Sequence, residues 1–293
     1  MRGHVKRVHQ NVAHHEVMEK LKANSPDPPS ISAHSTVTPA LQMTCRLLRK
    51  SPYVATVHLP RATAEKRIEV LQERYPSVLS EHQTCSALRH LKLPAVKMLV
   101  MPPQGQQVTV FLLANVVPDN REVWTPALNP ATPLTWKKYE VTTGGRMHEA
   151  CRGYKPLEPL SKKQAERLTW RLSSEQREAY RQDITRLIHS HRAGPSDRSS
   201  SWGTGPKVIR TLPAIQTRLE SLGVHLLRYP GFSGIRTDIW LLERHMQRLW
   251  QQQHPHLPCP HWPHPPYLSL LPAKLKPLSV LWAEIDAKGK SHD

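Results

Sequence analysis

Arg236, Trp240, Arg244 and Arg248 recur every four residues. In a helix that spacing lines them up along one ridge, because residues four apart lie one above the other. Guanidinium forks match phosphate oxygens and guanine edges, and an indole stacks on an unpaired base. The ridge therefore has the chemistry of a nucleic-acid contact. The plain alternative is a solvated basic face with Trp240 packed inward. Upstream, Arg177, Arg181, Arg186, His189 and Arg192 give a second helical segment a basic surface. Glu175, Glu178 and Asp183 partly offset it as near helical neighbours.

A third group lies between Ser80 and Lys92. There Gln83, Thr84, Ser86, Arg89, His90 and Lys92 can all hydrogen-bond bases or phosphate. A fourth is His254, His256, Cys259, His261 and His264, five soft ligands within eleven residues. Zinc takes four such ligands, but this spacing matches no ordinary finger. Its prolines also keep the chain extended, so the segment reads as a Pro/His-rich tail. No metal or other cofactor is expected.

Enzyme signatures are poor. The chain has no Walker A motif, no HExxH and no GxSxG. His148, Glu149 and Cys151 suggest deaminase chemistry, yet the accompanying PCxxC is missing. Tyr53, Tyr139 and Tyr180 are conceivable nucleophiles for strand transfer, but no Arg/His constellation accompanies them. His58 or His90 could serve a metal-independent RNase. A non-enzymatic binder is the favoured reading.

These side chains need elements to hold them. Tyr53–Leu59 is β-branched and reads as a strand. Thr63 then caps a helix to Tyr75, with Ala64, Ile68, Leu71 and Tyr75 inward. Ser80 with Gln83 makes a capping box for a helix to Lys92. Ala95–Met101 and Gln107–Val117 read as a hairpin, followed by weaker strands at Val123–Thr125 and Trp136–Thr142. The order helix, helix, hairpin resembles a winged helix-turn-helix, in which the second helix would enter the major groove and the hairpin would touch the backbone. Against it, the turn Pro102–Gln106 carries no Lys or Arg. An ordinary α+β core is the competing reading.

From Ser161 the apolar period becomes helical. One helix is expected from Ser161 through Leu168. A second, capped by Ser173 and Gln176, runs to Arg192 and buries Tyr180, Ile184, Leu187 and Ile188. Residues 194–206 have linker composition. Thr211 caps a helix over Leu212–Leu222 that Gly223 should end. The longest helix starts at Ser233 or Gly234 and ends near Gln253, with the seam Ile235, Ile239, Leu242, Met246 and Leu249. The late apolar stretch Leu278–Ile285 can dock back.

The expected organisation is α+β: a flexible basic arm (1–44), a mixed lobe with an antiparallel sheet (45–157), a basic helical lobe (158–253) and a Pro/His-rich tail (254–293). Net charge is +18, from 41 basic and 23 acidic residues in 293. Residues 161–253 hold +8 of it and residues 62–160 only +3. Such an excess attracts polyanions. The four cysteines are far apart with no CxxC spacing, which points away from a disulfide scaffold and toward a reducing, cytoplasmic setting. No run of 18 apolar residues occurs, so no membrane partner is expected. The functional expectation is a nucleic-acid-binding protein, DNA ahead of RNA because of the winged-helix resemblance, with a place in plasmid or mobile-element maintenance. A nuclease or strand-transfer enzyme and an RNA-binding subunit of a ribonucleoprotein complex are the alternatives.

Overall fold

Chain order runs β1 (Ser32–His34), α1 (Val37–Leu48), β2 (Tyr53–Pro60), α2 (Arg61–Arg74), β3 (Val96–Val100), β4 (Gln107–Ala114) and β5 (Thr125–Pro126). It continues with β6 (Thr135–Trp136), β7 (Tyr139–Thr143), β8 (Leu168–Leu172), α3 (Ser174–His189), α4 (Leu212–Leu226) and α5 (Ser233–Gln253). The last elements are β9 (Leu275–Pro277) and α6 (Leu278–Lys290). This computed structural model describes residues 31–75, 94–118, 121–129, 131–143, 168–190 and 211–290. The fold class is α+β, and every strand pair among the described residues is antiparallel. Of these residues, those up to Thr132 and from Leu270 form one unit, and those from Pro133 to Ser269 form another.

In the first unit, the sheet order is β3-β4-β2-β5. β4 is an inner strand, so Val108 through Ala114 are all buried and the run reads as continuously apolar instead of alternating. The expected hairpin is present, with Val100 opposite Val110 and Gly105 supplying the positive φ of its turn. α2 packs on β2 and β4 through Ala64, Ile68 and Leu71, and Tyr75 follows it into the core. It begins at Arg61, two residues before the expected Thr63 cap. The backbone N–H of Arg61 is met by the Gln106 carbonyl, so no side-chain cap is needed. The C-terminal apolar stretch does dock, putting Leu278, Leu281 and Trp282 into this core.

Two expectations for the chain ends are corrected. Residues 31–44, assigned to a flexible arm, carry β1 and most of α1, whose Pro39, Ala40, Leu41, Thr44, Cys45 and Leu48 are buried at helical spacing. The tail is likewise built in: β9 pairs with β1, with Ala33 opposite Lys276.

In the second unit, β7 is the middle strand of β6-β7-β8. Trp136–Thr142 is therefore not one unbroken strand: Trp136 ends β6 and pairs with Tyr139, which starts β7, across a tight turn at Lys137 and Lys138, and Lys137 takes the left-handed φ of 56°. Of the helix expected over Ser161–Leu168, residues 161–167 lie outside the described residues, and only its last residue is corrected. Leu168–Leu172 is a strand, buried at all five positions because β7 pairs with it and α5 covers it. Continuous burial leaves no alternation to read.

α3 is capped as expected, Ser173 Oγ accepting from the Gln176 N–H at 3.3 Å, and Tyr180, Ile184 and Ile188 face inward. α4 runs through Gly223 to Leu226. That glycine is a packing residue: a Cβ there would lie 2.8 Å from the ring of Trp262, which is wholly buried. α5 spans the expected range, and its seam ends on Trp250, while Leu249 is only half-buried. The expected helix at Ser80–Lys92 and the linker at 194–206 lie outside the described residues.

Candidate functional site

α5 contains two carboxylates, Asp238 and Glu243, and both point inward. Asp238 is 2% exposed and joins α5 to the neighbouring elements. Its Oδ1 accepts from Arg171 Nη2 at 2.9 Å and its Oδ2 from the Leu172 backbone N–H at 2.9 Å. Glu140 on β7 completes the cluster. It accepts from Arg177 Nη1 at 2.8 Å and from the Ser174 N–H at 3.0 Å, and it lies 3.5 Å from Arg171. Burial still raises the Asp238 carboxyl above its ordinary value, against the pull of Arg171 and Arg177. Glu243 is also buried, and its Oε2 meets His264 Nε2 at 3.2 Å.

With its acids turned inward, α5 shows solvent only cations. Arg244 and Arg248 are exposed. Trp240 is 45% exposed, which overturns the reading that packs it in the core, and Arg244 lies over its ring at 4.9 Å. Beside this pair, His245 bridges two helices. Arg248 Nη2 donates to His245 Nδ1 at 3.3 Å, so the ring proton sits on Nε2 and faces Thr185 Oγ1 at 3.1 Å. The Thr185 hydroxyl in turn donates to the Arg181 carbonyl at 2.8 Å. Burial, followed by the charges of Arg181 and Arg248, lowers the His245 pKa, opposed by the Arg181 carbonyl and Glu178. Arg181 and Arg248 thus flank one neutral imidazole.

The remaining expected contacts separate. Arg177 is held in the buried cluster and also donates to the Leu172 carbonyl, which makes it a structural residue. Arg186 pairs with Asp183 at 2.9 Å in an exposed contact. Arg236 donates to the Pro265 carbonyl and lies over the ring of Tyr267 at 3.8 Å. Arg89, Lys92 and Arg192 lie outside the described residues. Of the conceivable nucleophiles, Tyr139 and Tyr180 are buried in one aromatic cluster with Tyr229. Burial pushes the Tyr139 phenol up to about 12 and raises Tyr180 as well, so neither supplies a phenolate near neutral pH. His58 bonds the Thr109 hydroxyl at 3.2 Å across the sheet.

The Pro/His-rich segment is a strap and not a loose tail. Trp262 packs against Gly223, Pro266 lies against Gly231, and His264 and Pro265 are bound to α5 as described. His254 stacks on Trp250 at 4.7 Å. His254, His256, Cys259, His261 and His264 are thereby spread along the strap, and no three metal-ligating side chains come together among the described residues. Burial and the nearby Glu243 raise the Cys259 thiol. Sequence reasoning missed Tyr267, which stands 84% exposed beside Arg236. It also missed the Glu140–Arg171–Asp238 cluster. Its members come from three separate elements, and no local spacing marks them.

No protein-family model, curated protein or solved structure matches the chain. No helix among the described residues is long and apolar enough to cross a membrane.

Proposed function

We propose that this protein binds nucleic acid through the outer face of α5 and the adjoining Arg181 of α3. The observation that carries the reading is the segregation of charge within α5. Both of its carboxylates are buried, Asp238 against Arg171 and Glu243 against His264, while Arg244 and Arg248 stay in solvent and Arg244 lies over an exposed indole. A sequence count gives this helix three arginines against two acids, so its outward charge is larger than its composition. Each phosphate that such a cation neutralises releases counterions, and affinity then falls steeply with salt.

The reading does not rest on the first unit, where the order helix, β2, helix and the sheet order β3-β4-β2 are compatible with a winged helix. Its recognition helix would fall within residues 76–93, outside the described residues. The test is binding of the purified chain to labelled oligonucleotides across a salt series. The reading expects a log–log slope of at least about −2, from three cations at about 0.7 to 0.9 each. A flat dependence contradicts it.

A further inference from the structure

Trp240 is not isolated. On one side of it along the ridge lies Arg236, one helical turn away, with its guanidinium over Tyr267. On the other side lies Arg244, stacked on the indole, and then Arg248. Aromatic and guanidinium groups are therefore interleaved along one line: Tyr267, Arg236, Trp240, Arg244, Arg248. From Arg236 to Arg248 the ridge is about 18 Å long, at a rise of about 1.5 Å per residue. Tyr267 is supplied by the strap, which the carbonyl of Pro265 fixes to Arg236 and the buried Trp262 fixes to α4. Residues 254–269 contain no carboxylate, so the strap adds no repulsion to an anionic ligand.

Resting on the nucleic-acid reading, we propose that this ladder takes single-stranded nucleic acid, with unpaired bases stacking on Trp240 and Tyr267 and phosphates meeting the arginines. A duplex cannot use these platforms, because each base face is already covered by its neighbours at a repeat of about 3.4 Å. The guanidinium of Arg236 stands between the two rings, so bases stacked on them are separated by more than one stacking repeat. That matches a strand whose bases have been pulled apart. Stacking also explains why an indole remains in water at this position: each base covers apolar ring surface, and every base has a π-face to offer. The arrangement takes DNA and RNA alike, since neither ring nor guanidinium contacts the 2′-hydroxyl by necessity.

The test uses the full chain and fluorescence anisotropy with three probes: a short oligo-dT, an oligo-U of equal length and a DNA duplex of equal phosphate number. Trp240→Ala, Tyr267→Ala and Trp240→Phe are compared with the unaltered chain, with circular dichroism checking the fold. Both single strands are expected to bind more tightly than the duplex. Trp240→Ala is expected to weaken them by about 5- to 150-fold, from about 1–3 kcal/mol per stacked base. Tyr267→Ala follows with a smaller loss, and Trp240→Phe restores most of the affinity. Salt-dependent binding that favours the duplex, or that ignores Trp240→Ala, overturns the single-strand inference and leaves nucleic-acid binding standing. Equal competition by polyglutamate shows a generic polyanion surface and overturns it too. Failure to bind any probe overturns both readings.

Discussion

The two units handle carboxylates in opposite ways. In the first, acids meet bases at the surface: Arg61 forks onto Asp286 at 2.6 and 2.7 Å with both side chains well exposed, and Lys276 pairs with Glu284. Its interior is apolar, built from β2, β4, α2 and the returning α6. In the second, Glu140, Asp238 and Glu243 are drawn inside; Arg171 and Arg177 meet the first two there, and Glu243 meets the exposed His264. The same kinds of residue thus give two surfaces. One sets acids such as Asp286 and Glu284 beside cations at its surface; the other buries three of its acids and leaves Arg181, Arg244 and Arg248 facing water. Where a carboxylate points matters more to a binding surface than how many there are.

The largest effect follows from breaking the buried cluster. Asp238→Ala leaves Arg171 without its best partner and the Leu172 N–H unanswered. It is expected to cost about 3–5 kcal/mol in urea denaturation. In the first unit, Arg74 is partly exposed where it pairs with Glu122, and Tyr75 also donates to that carboxylate. Arg74→Ala leaves Tyr75 still donating to Glu122, so its loss is expected to be smaller than that of Asp238→Ala. Equal losses in the two variants would break the contrast.

A smaller effect concerns pH. His245 is held neutral, with a pKa below its ordinary 6.5. The unfolded chain binds that proton more readily, so stability is full above about pH 6.5 and declines as pH falls below it. Buried His34, also lowered by burial, acts with the same sign. Thermal midpoints are expected to fall between pH 7.5 and 5.5, and to fall less in a His245→Gln variant. An unchanged slope in that variant would remove the Arg248–His245–Thr185 bridge from the account.

Much of this was legible in the residues. The β-branched run at Tyr53–Leu59 and the long apolar run at Gln107–Val117 mark their strands by composition, and the four-residue steps of α5 mark a helix because one face of it is buried. β8 was not legible, since burial on every side erases alternation. Gly223 looked like a helix stop, and only Trp262, some forty residues on, shows why the helix passes through it. At the site, spacing alone aligned Arg236, Trp240, Arg244 and Arg248. It could not show that Arg177 turns inward, that Arg236 is bound by the strap, or that Tyr267 joins the ridge. Those facts depend on elements distant in sequence.

The most direct test of the central claim is the salt slope of oligonucleotide binding in two triple variants. One removes Arg181, Arg244 and Arg248 from the second unit by substitution to Ala. The other replaces exposed Arg46, Arg49 and Lys50 at the end of α1 in the first unit. The account predicts that the first variant flattens the slope by about 2 units or slightly more, and that the second leaves it near that of the unaltered chain. The reverse outcome would place the binding surface on the first unit and contradict the account.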